Sequence, residues 1–245
     1  MTSVSRADEP ITVESLYAVL RERILVGELR PGAFLSQVKL ADAFGTGRTP
    51  LREALRMLQR EGLVDAEYNR RVRVAELTTS ELDEIYARRV LLEAMAVRTS
   101  IPRFTPADLE ELQALQAAME SFLPDPAGRL EDWEAPHRAF HQLLVGRAGP
   151  SIVDDVEQLQ DHAQRYRAII GKSLPASFAP GAADHARIVA CCIERDAPEA
   201  GRTLARHLAR AGLALVSQTD PTHDAVALRE ALKIVLGDGP AAQLT

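Results

Sequence analysis

Arg48-Thr49-Pro50-Leu51-Arg52-Glu53-Ala54-Leu55-Arg56-Met57-Leu58-Gln59-Arg60 carries two kinds of chemistry on one helical period. Leu51, Ala54, Leu55 and Leu58 recur at the interval that lines one face of a helix, while Arg48, Arg52, Arg56 and Arg60 step along another face four residues apart. One face packs and the other is cationic. Pro50 suits a first helical turn, whose backbone N–H groups lack intrahelical partners, and Gly62 is placed to stop the helix. Taken alone, such a pattern more often belongs to a solvated helix lying on a core. Its neighbours decide.

Upstream, Leu16, Val19, Leu20 and Ile24 share one face of a helix that begins near Thr12 and ends at Gly27. Arg30-Pro31-Gly32 reads as a turn, and Ser36 can cap a short second helix running through Leu40, Ala41 and Phe44 to Gly45. Downstream, Leu63 to Tyr68 and Val72 to Val74 alternate in the manner of strands around Asn69-Arg70-Arg71. Three helices followed by a hairpin with a cationic tip predict a winged helix-turn-helix. The third helix is then poised for the major groove of DNA and the wing lies beside the backbone.

The 245 residues allow one large domain or two ordinary ones. An apolar share of 46% with only 4% aromatics, rich in Leu and Ala, favours interlocking helices over a sheet sandwich. The net charge of −6 argues against indiscriminate coating of nucleic acid, yet residues 48 to 73 hold seven arginines against four acidic residues. A local basic face on an acidic chain suits a small DNA-reading module attached to something else. Cys191 and Cys192 are adjacent, so no disulfide framework is expected and a reducing compartment is. Neither a signal peptide nor an apolar run of membrane-spanning length is evident, so a cytoplasmic protein without membrane contact is expected.

Beyond the hairpin, Thr78-Thr79-Ser80-Glu81 caps a helix patterned by Leu82, Ile85, Tyr86, Val90, Leu92 and Met95. Further helices are expected across Leu109 to Met119 and near 128–147, 150–171, 181–195 and 197–218, separated by Pro- and Gly-bearing breaks. The fold class is therefore mostly α: an N-terminal winged helix-turn-helix with a small β-hairpin wing, residues 1–76, then an all-α helical bundle, residues 77–220. Residues 221–245 form a tail that is in part helical. His137 and His141 are four residues apart and can clasp one ion from a single helix face, with His185 and His207 on two later helices. Bundle cores build metal sites in this way, although a lone histidine is usually an ordinary polar residue, and the pattern alone leaves metal binding open.

The run Gly32, Leu35-Ser36, Leu40-Ala41, Arg48 to Leu55 and Glu61 to Val64 resembles the N-terminal domain of the GntR family of bacterial transcription regulators. That resemblance implies that Arg48, Thr49 and Arg52 contact bases and phosphates, with the wing tip Asn69, Arg70 and Arg71 at the minor groove. Gly47 stands where relatives usually carry a hydroxyl, Val38 where they often carry a DNA-contacting arginine, and Arg71 where a wing glycine is common. The C-terminal region resembles the helical FCD domain of the FadR subfamily: Arg89 to Glu93, His137 to His141, Asp184-His185 and Arg206 to Leu208 match its motifs. The resemblance implies a divalent cation beneath an effector pocket, held here by His137, His141, His185 and His207, with His137 in place of the usual carboxylate. All-nitrogen ligation suits Zn²⁺ or Ni²⁺ better than Mg²⁺ or Ca²⁺. Pro136 could start or kink the helix and so displace His137. Arg89 and Arg167 are the expected partners of a small carboxylate effector.

The resulting expectation is a repressor that binds a palindromic operator as a homodimer and answers to a metabolite, with no enzymatic activity. A metal-dependent hydrolase is the reading from another class. Against it, no glutamate stands between His137 and His141 to serve as a base, and Glu134-x-x-His137 has no second copy of the kind a di-iron bundle requires. A structural DNA-bridging protein with a degenerate pocket is the third.

Overall fold

The Thr12 side chain accepts the backbone N–H of Ser15 and so caps α1 (Val13–Leu25). The computed structural model describes residues 12–66, 71–122, 130–170 and 178–237. It divides into two compact units between Leu77 and Thr78. In the first unit α1 is followed by β1 (Phe34–Leu35), α2 (Gln37–Ala43), α3 (Arg48–Arg60), β2 (Val64–Ala66) and β3 (Val72–Val74). The strands form an antiparallel sheet in the order β1-β3-β2, with Phe34 opposite Arg73 and Val64 opposite Val74.

The apolar face of α3, Leu51, Ala54, Leu55 and Leu58, is buried as its spacing requires, and its three leucines pack with Leu20, Ile24, Leu63 and Val74. Arg48, Thr49, Arg52 and Arg56 remain exposed. Ser36 caps α2 as expected, whereas Gly47, at the N-cap of α3, offers no side-chain hydrogen bond. Gly32 has φ of 73°, a left-handed backbone conformation that favours glycine at this turn. Two expectations are corrected. Val19 lies 44% exposed, off the buried face set by Leu16, Leu20, Ile24 and Leu25. The sheet also has β1, a strand too short to leave a periodic signal. Of the expected hairpin, Glu67, Tyr68, Asn69 and Arg70 lie outside the described residues.

The second unit comprises α4 (Thr79–Ser100), α5 (Pro106–Glu120), α6 (Leu130–Val145), α7 (Pro150–Ile170), α8 (Phe178–Glu194), α9 (Ala197–Thr219) and α10 (Val226–Leu236). Thr78 caps α4, and Thr105 with Asp108 forms a reciprocal capping box on α5. α4 makes its most extensive pairing with α9, and α10 packs on both. The start of α10 is held by the buried Asp83 carboxylate, which accepts from the backbone N–H groups of Ala227 at 3.2 Å and Leu228 at 2.8 Å. Tyr166 of α7 is fastened to Thr78: its hydroxyl accepts from the Thr78 N–H at 3.1 Å and lies 2.6 Å from Glu81.

Close approach of α4 and α9 depends on Gly212, where a Cβ would stand 2.7 Å from the Tyr86 ring. Gly212→Ala gains helix propensity of about 1 kcal/mol but forces the overpacked ring to move. A net loss of about 1–2 kcal/mol is expected, to be read from urea unfolding. On α4, the apolar pattern misplaces Met95, which is 40% exposed, while Arg89 and Glu93 turn inward. Among the described residues no helix is long and apolar enough to cross a membrane.

Candidate metal centre and nucleic-acid interface

Five helices of the second unit converge on one buried polar centre. α6 supplies His137 and His141, α8 supplies His185 and α9 supplies His207, all four buried, with one ligand atom from each lying within 4.8 Å of the others. Pro136 lies inside α6, and His137 joins the cluster all the same. Ring centroids are 4.6 Å apart for His137 and His141 and 4.5 Å for His185 and His207. Trp133 stacks on His137 at 4.1 Å.

Several imidazole nitrogens here are buried without a hydrogen-bond partner: His137 Nδ1, both nitrogens of His141 and His185 Nε2. Each costs desolvation energy with no return, which a folded core avoids unless another ligand is served. Burial, then the charges of His141 and Arg167, pushes the His137 pKa well below 6.5, and burial with His207 and His141 does the same at His185. His141 falls to about 4 through burial, opposed by the nearby Glu93 carboxylate. Near neutral pH these three rings are uncharged, the form that donates a lone pair to a metal.

Carboxylates surround the imidazoles. Asp184 lies 3.3 Å from His207 Nδ1 and is also bound by Arg210 at 2.9 Å. Glu93 lies 3.7 Å from His141 Nδ1, and Glu134 lies 4.0 Å from His137 Nδ1. The Asp184 contact orients the His207 ring and leaves its other nitrogen for a cation. A tetrahedral zinc site with bonds of about 2.0–2.1 Å sets its ligand nitrogens about 3.3 Å apart, so small ring rotations would close this cluster on an ion. The donor set fits a borderline divalent metal.

The two arginines expected at an effector are placed beside the cluster, each already engaged. Arg89 Nε donates to Glu93 at 2.7 Å, and Arg167 pairs with Glu134. Burial alone would raise the Glu93 pKa, but the Arg89 guanidinium and His141 hold it at about 2. Gln160 donates to the same carboxylate at 3.3 Å. Arg89, Arg167, Arg138, Gln160, His137 and His141 enclose a cavity of about 10 Å³, room for about one water. A carboxylate ligand would therefore have to displace a resident ion pair. Gln160 escaped the sequence reading, and Glu93 and Arg138 entered it only as parts of matching motifs, although the Arg89-x-x-x-Glu93 spacing marks a pair on one helix face. His162 and His223, outside the cluster, are partly buried and face Glu81 at 3.9 Å and Asp83 at 3.7 Å.

The first unit carries a separate feature, an open groove of about 920 Å³ lined by Arg48, Thr49, Arg52, Arg56 and Gln59 of α3. Phe34, Ser36, Gln37, Val38 and Arg71 complete its walls. Arg71, at the position of a common wing glycine, does not adopt positive φ; among the described non-glycine residues only Arg195 does. Gly47 is exposed at the start of α3, and Asn69 and Arg70 lie outside the described residues.

Residues 12–74 match the family described as bacterial regulatory proteins, gntR family, and residues 84–210 match the FCD domain. The chain belongs to the GntR family of transcription regulators. It is 31% identical over 208 residues to the HTH-type transcriptional repressor GlaR of Escherichia coli (strain K12), covering 81% of this chain and 94% of that one. It is 36% identical over 131 residues to the uncharacterized HTH-type transcriptional regulator YdhC of Bacillus subtilis (strain 168). That match takes in 53% of this chain and 57% of YdhC. Among solved structures, E. coli McbR/YncC superposes with a TM-score of 0.75 at 25% identity, covering 90% of this chain and all of that one. The mostly α fold, with its winged helix-turn-helix followed by a helical FCD domain, is thereby established, and the family is one of regulators rather than enzymes.

Proposed function

We propose that this GntR-family regulator is a repressor whose operator binding is set by a small carboxylate held near a metal ion in its FCD domain. The observation that carries the reading is the convergence of four buried histidines, four of their ring nitrogens buried without a hydrogen-bond partner, beside Arg89 and Arg167. His137, His141, His185 and His207 would hold the cation, and four neutral nitrogens favour Zn²⁺ or Ni²⁺. A bound cation supplies an open coordination position for a carboxylate oxygen. Arg89 and Arg167 orient the same ligand by charge-assisted hydrogen bonds once Glu93 and Glu134 yield them. The resemblance of the repressor GlaR along most of this chain supports the direction of control.

The DNA-facing residues proposed are Arg48, Thr49, Arg52 and Gly47 on α3 with Asn69, Arg70 and Arg71 of the wing. Their side chains on α3 are exposed on the cationic wall of the groove. The protein acts as a cytoplasmic homodimer, since a two-fold operator presents two half-sites at a fixed helical spacing. A ligand that alters the placement of two heads weakens DNA binding, and by linkage operator DNA weakens the ligand equally.

The test uses a duplex recovered by selection from random sequence. Arg52→Ala is expected to cost about 1–3 kcal/mol on that duplex and much less on random DNA if the guanidinium reads a base edge. Equal weakening on both would reduce Arg52 to a phosphate contact. Metal-loaded protein titrated with a panel of mono- and dicarboxylates should release the duplex with at least one of them. Release by none, from metal-loaded and metal-stripped protein alike, would overturn effector control.

A further inference from the structure

Phe34 is a large aromatic residue left 57% exposed, whereas Tyr17 and Phe44 of the same unit pack against its core. β1 pairs with β3 so that Phe34 stands opposite Arg73, and the guanidinium carbons of Arg71 and Arg73 lie 5.6 and 5.5 Å from its ring centroid. A guanidinium within about 6 Å of an aromatic face is attracted by the ring quadrupole. Arg73 is half-buried and ion-pairs with Glu76 at 3.7 Å, so its position has other support. Arg71 is exposed at the base of the wing. The ring and Arg71 both line the groove that holds Arg48, Thr49 and Arg52.

An exposed ring beside nucleic acid can also stack on bases, but that requires bases unpaired and turned outward. A winged helix reads duplex DNA, whose bases are stacked. We infer that Phe34 is a positioning residue for DNA binding, its ring holding Arg71 in the orientation in which the wing meets the DNA backbone. A long arginine side chain loses rotamer freedom when it binds, and a side chain already held in place loses less. This inference rests on the assignment of the groove as the DNA-binding face.

A double-mutant cycle tests it, using full-length protein and the selected duplex in fluorescence anisotropy across a salt series. Phe34→Leu keeps apolar bulk and removes the aromatic face; it is expected to weaken binding about two- to fivefold. Phe34→Trp should restore wild-type affinity. In an Arg71→Ala background, which itself lowers the slope of log K against log salt by about 0.9, Phe34→Leu should have no further effect. An unchanged affinity in Phe34→Leu, or an equal loss with and without Arg71, overturns the inference. Should Phe34→Leu unfold, the same cycle run with Phe34→Met decides by the same criterion. Arg52→Ala in parallel separates the two levels: if it weakens binding while the cycle is additive, the groove assignment stands and the role of Phe34 falls. If Arg52→Ala binds as wild type, the groove assignment fails and the role of Phe34 with it.

Discussion

Replacing His185 and His207 together by alanine is expected to lower affinity for Zn²⁺ or Ni²⁺ by more than about a hundredfold while leaving a folded protein. The two rings come from different helices, α8 and α9, so their loss leaves only the His137 and His141 pair of α6. Two imidazoles on one helix can still touch an ion but cannot enclose it. The fold should survive because the change removes a buried nitrogen, His185 Nε2, that has no hydrogen-bond partner to lose. Asp184 keeps Arg210 as its partner. Metal content after dialysis and the helical circular dichroism signal measure both halves of the expectation. Wild-type metal content in the double variant would remove these histidines from the site.

Acidification should destabilise chelator-treated protein strongly, because His137, His141 and His185 resist protonation only when folded. Their unfolded pKa is near 6.5, and their folded values are lowered, His141 to about 4. The unfolded chain therefore binds more protons below pH 6.5, so stability is full above that value and falls as the pH drops toward the folded pKa. For His141, folded at about 4, the loss between pH 7.5 and 5 is about 2 kcal/mol, and His137 and His185 act in the same direction. Urea unfolding at the two pH values measures the effect, and the double variant, which lacks His185, should show less of it. Equal stability at pH 7.5 and 5 would mean that the three rings are not held neutral by the fold.

How far the molecule could be read from its sequence follows from what each signal depends on. α3 was legible because burial and charge fall on separate faces of one short helix, and Ser36, Thr78 and Gly62 mark helix ends by local chemistry. The four histidines were legible as spacing on α6 plus a family resemblance. β1 was not, since two residues, Phe34 and Leu35, give no period and owe their conformation to β3. Met95 was misjudged for a related reason. α4 is covered by α6, α7, α9 and α10, and which side chains meet a neighbour is set by those contacts and not by hydropathy along α4. The charge partners Glu93 with Arg89 and Glu134 with Arg167 required the helices to be assembled before one could see that the arginines are already occupied.

The fastening of Tyr166 to Thr78 gives α7 a mechanical property. Tyr166 adjoins Arg167, whose guanidinium grips Glu134 on α6, and Gln160 lies less than two turns earlier against Glu93 on α4. One rigid rod therefore carries both polar contacts at the histidine cluster and the peg that holds the first residue of the second unit. A carboxylate that took Arg167 from Glu134, as the proposed function requires, would act on the same helix that carries the Tyr166 contact to Thr78.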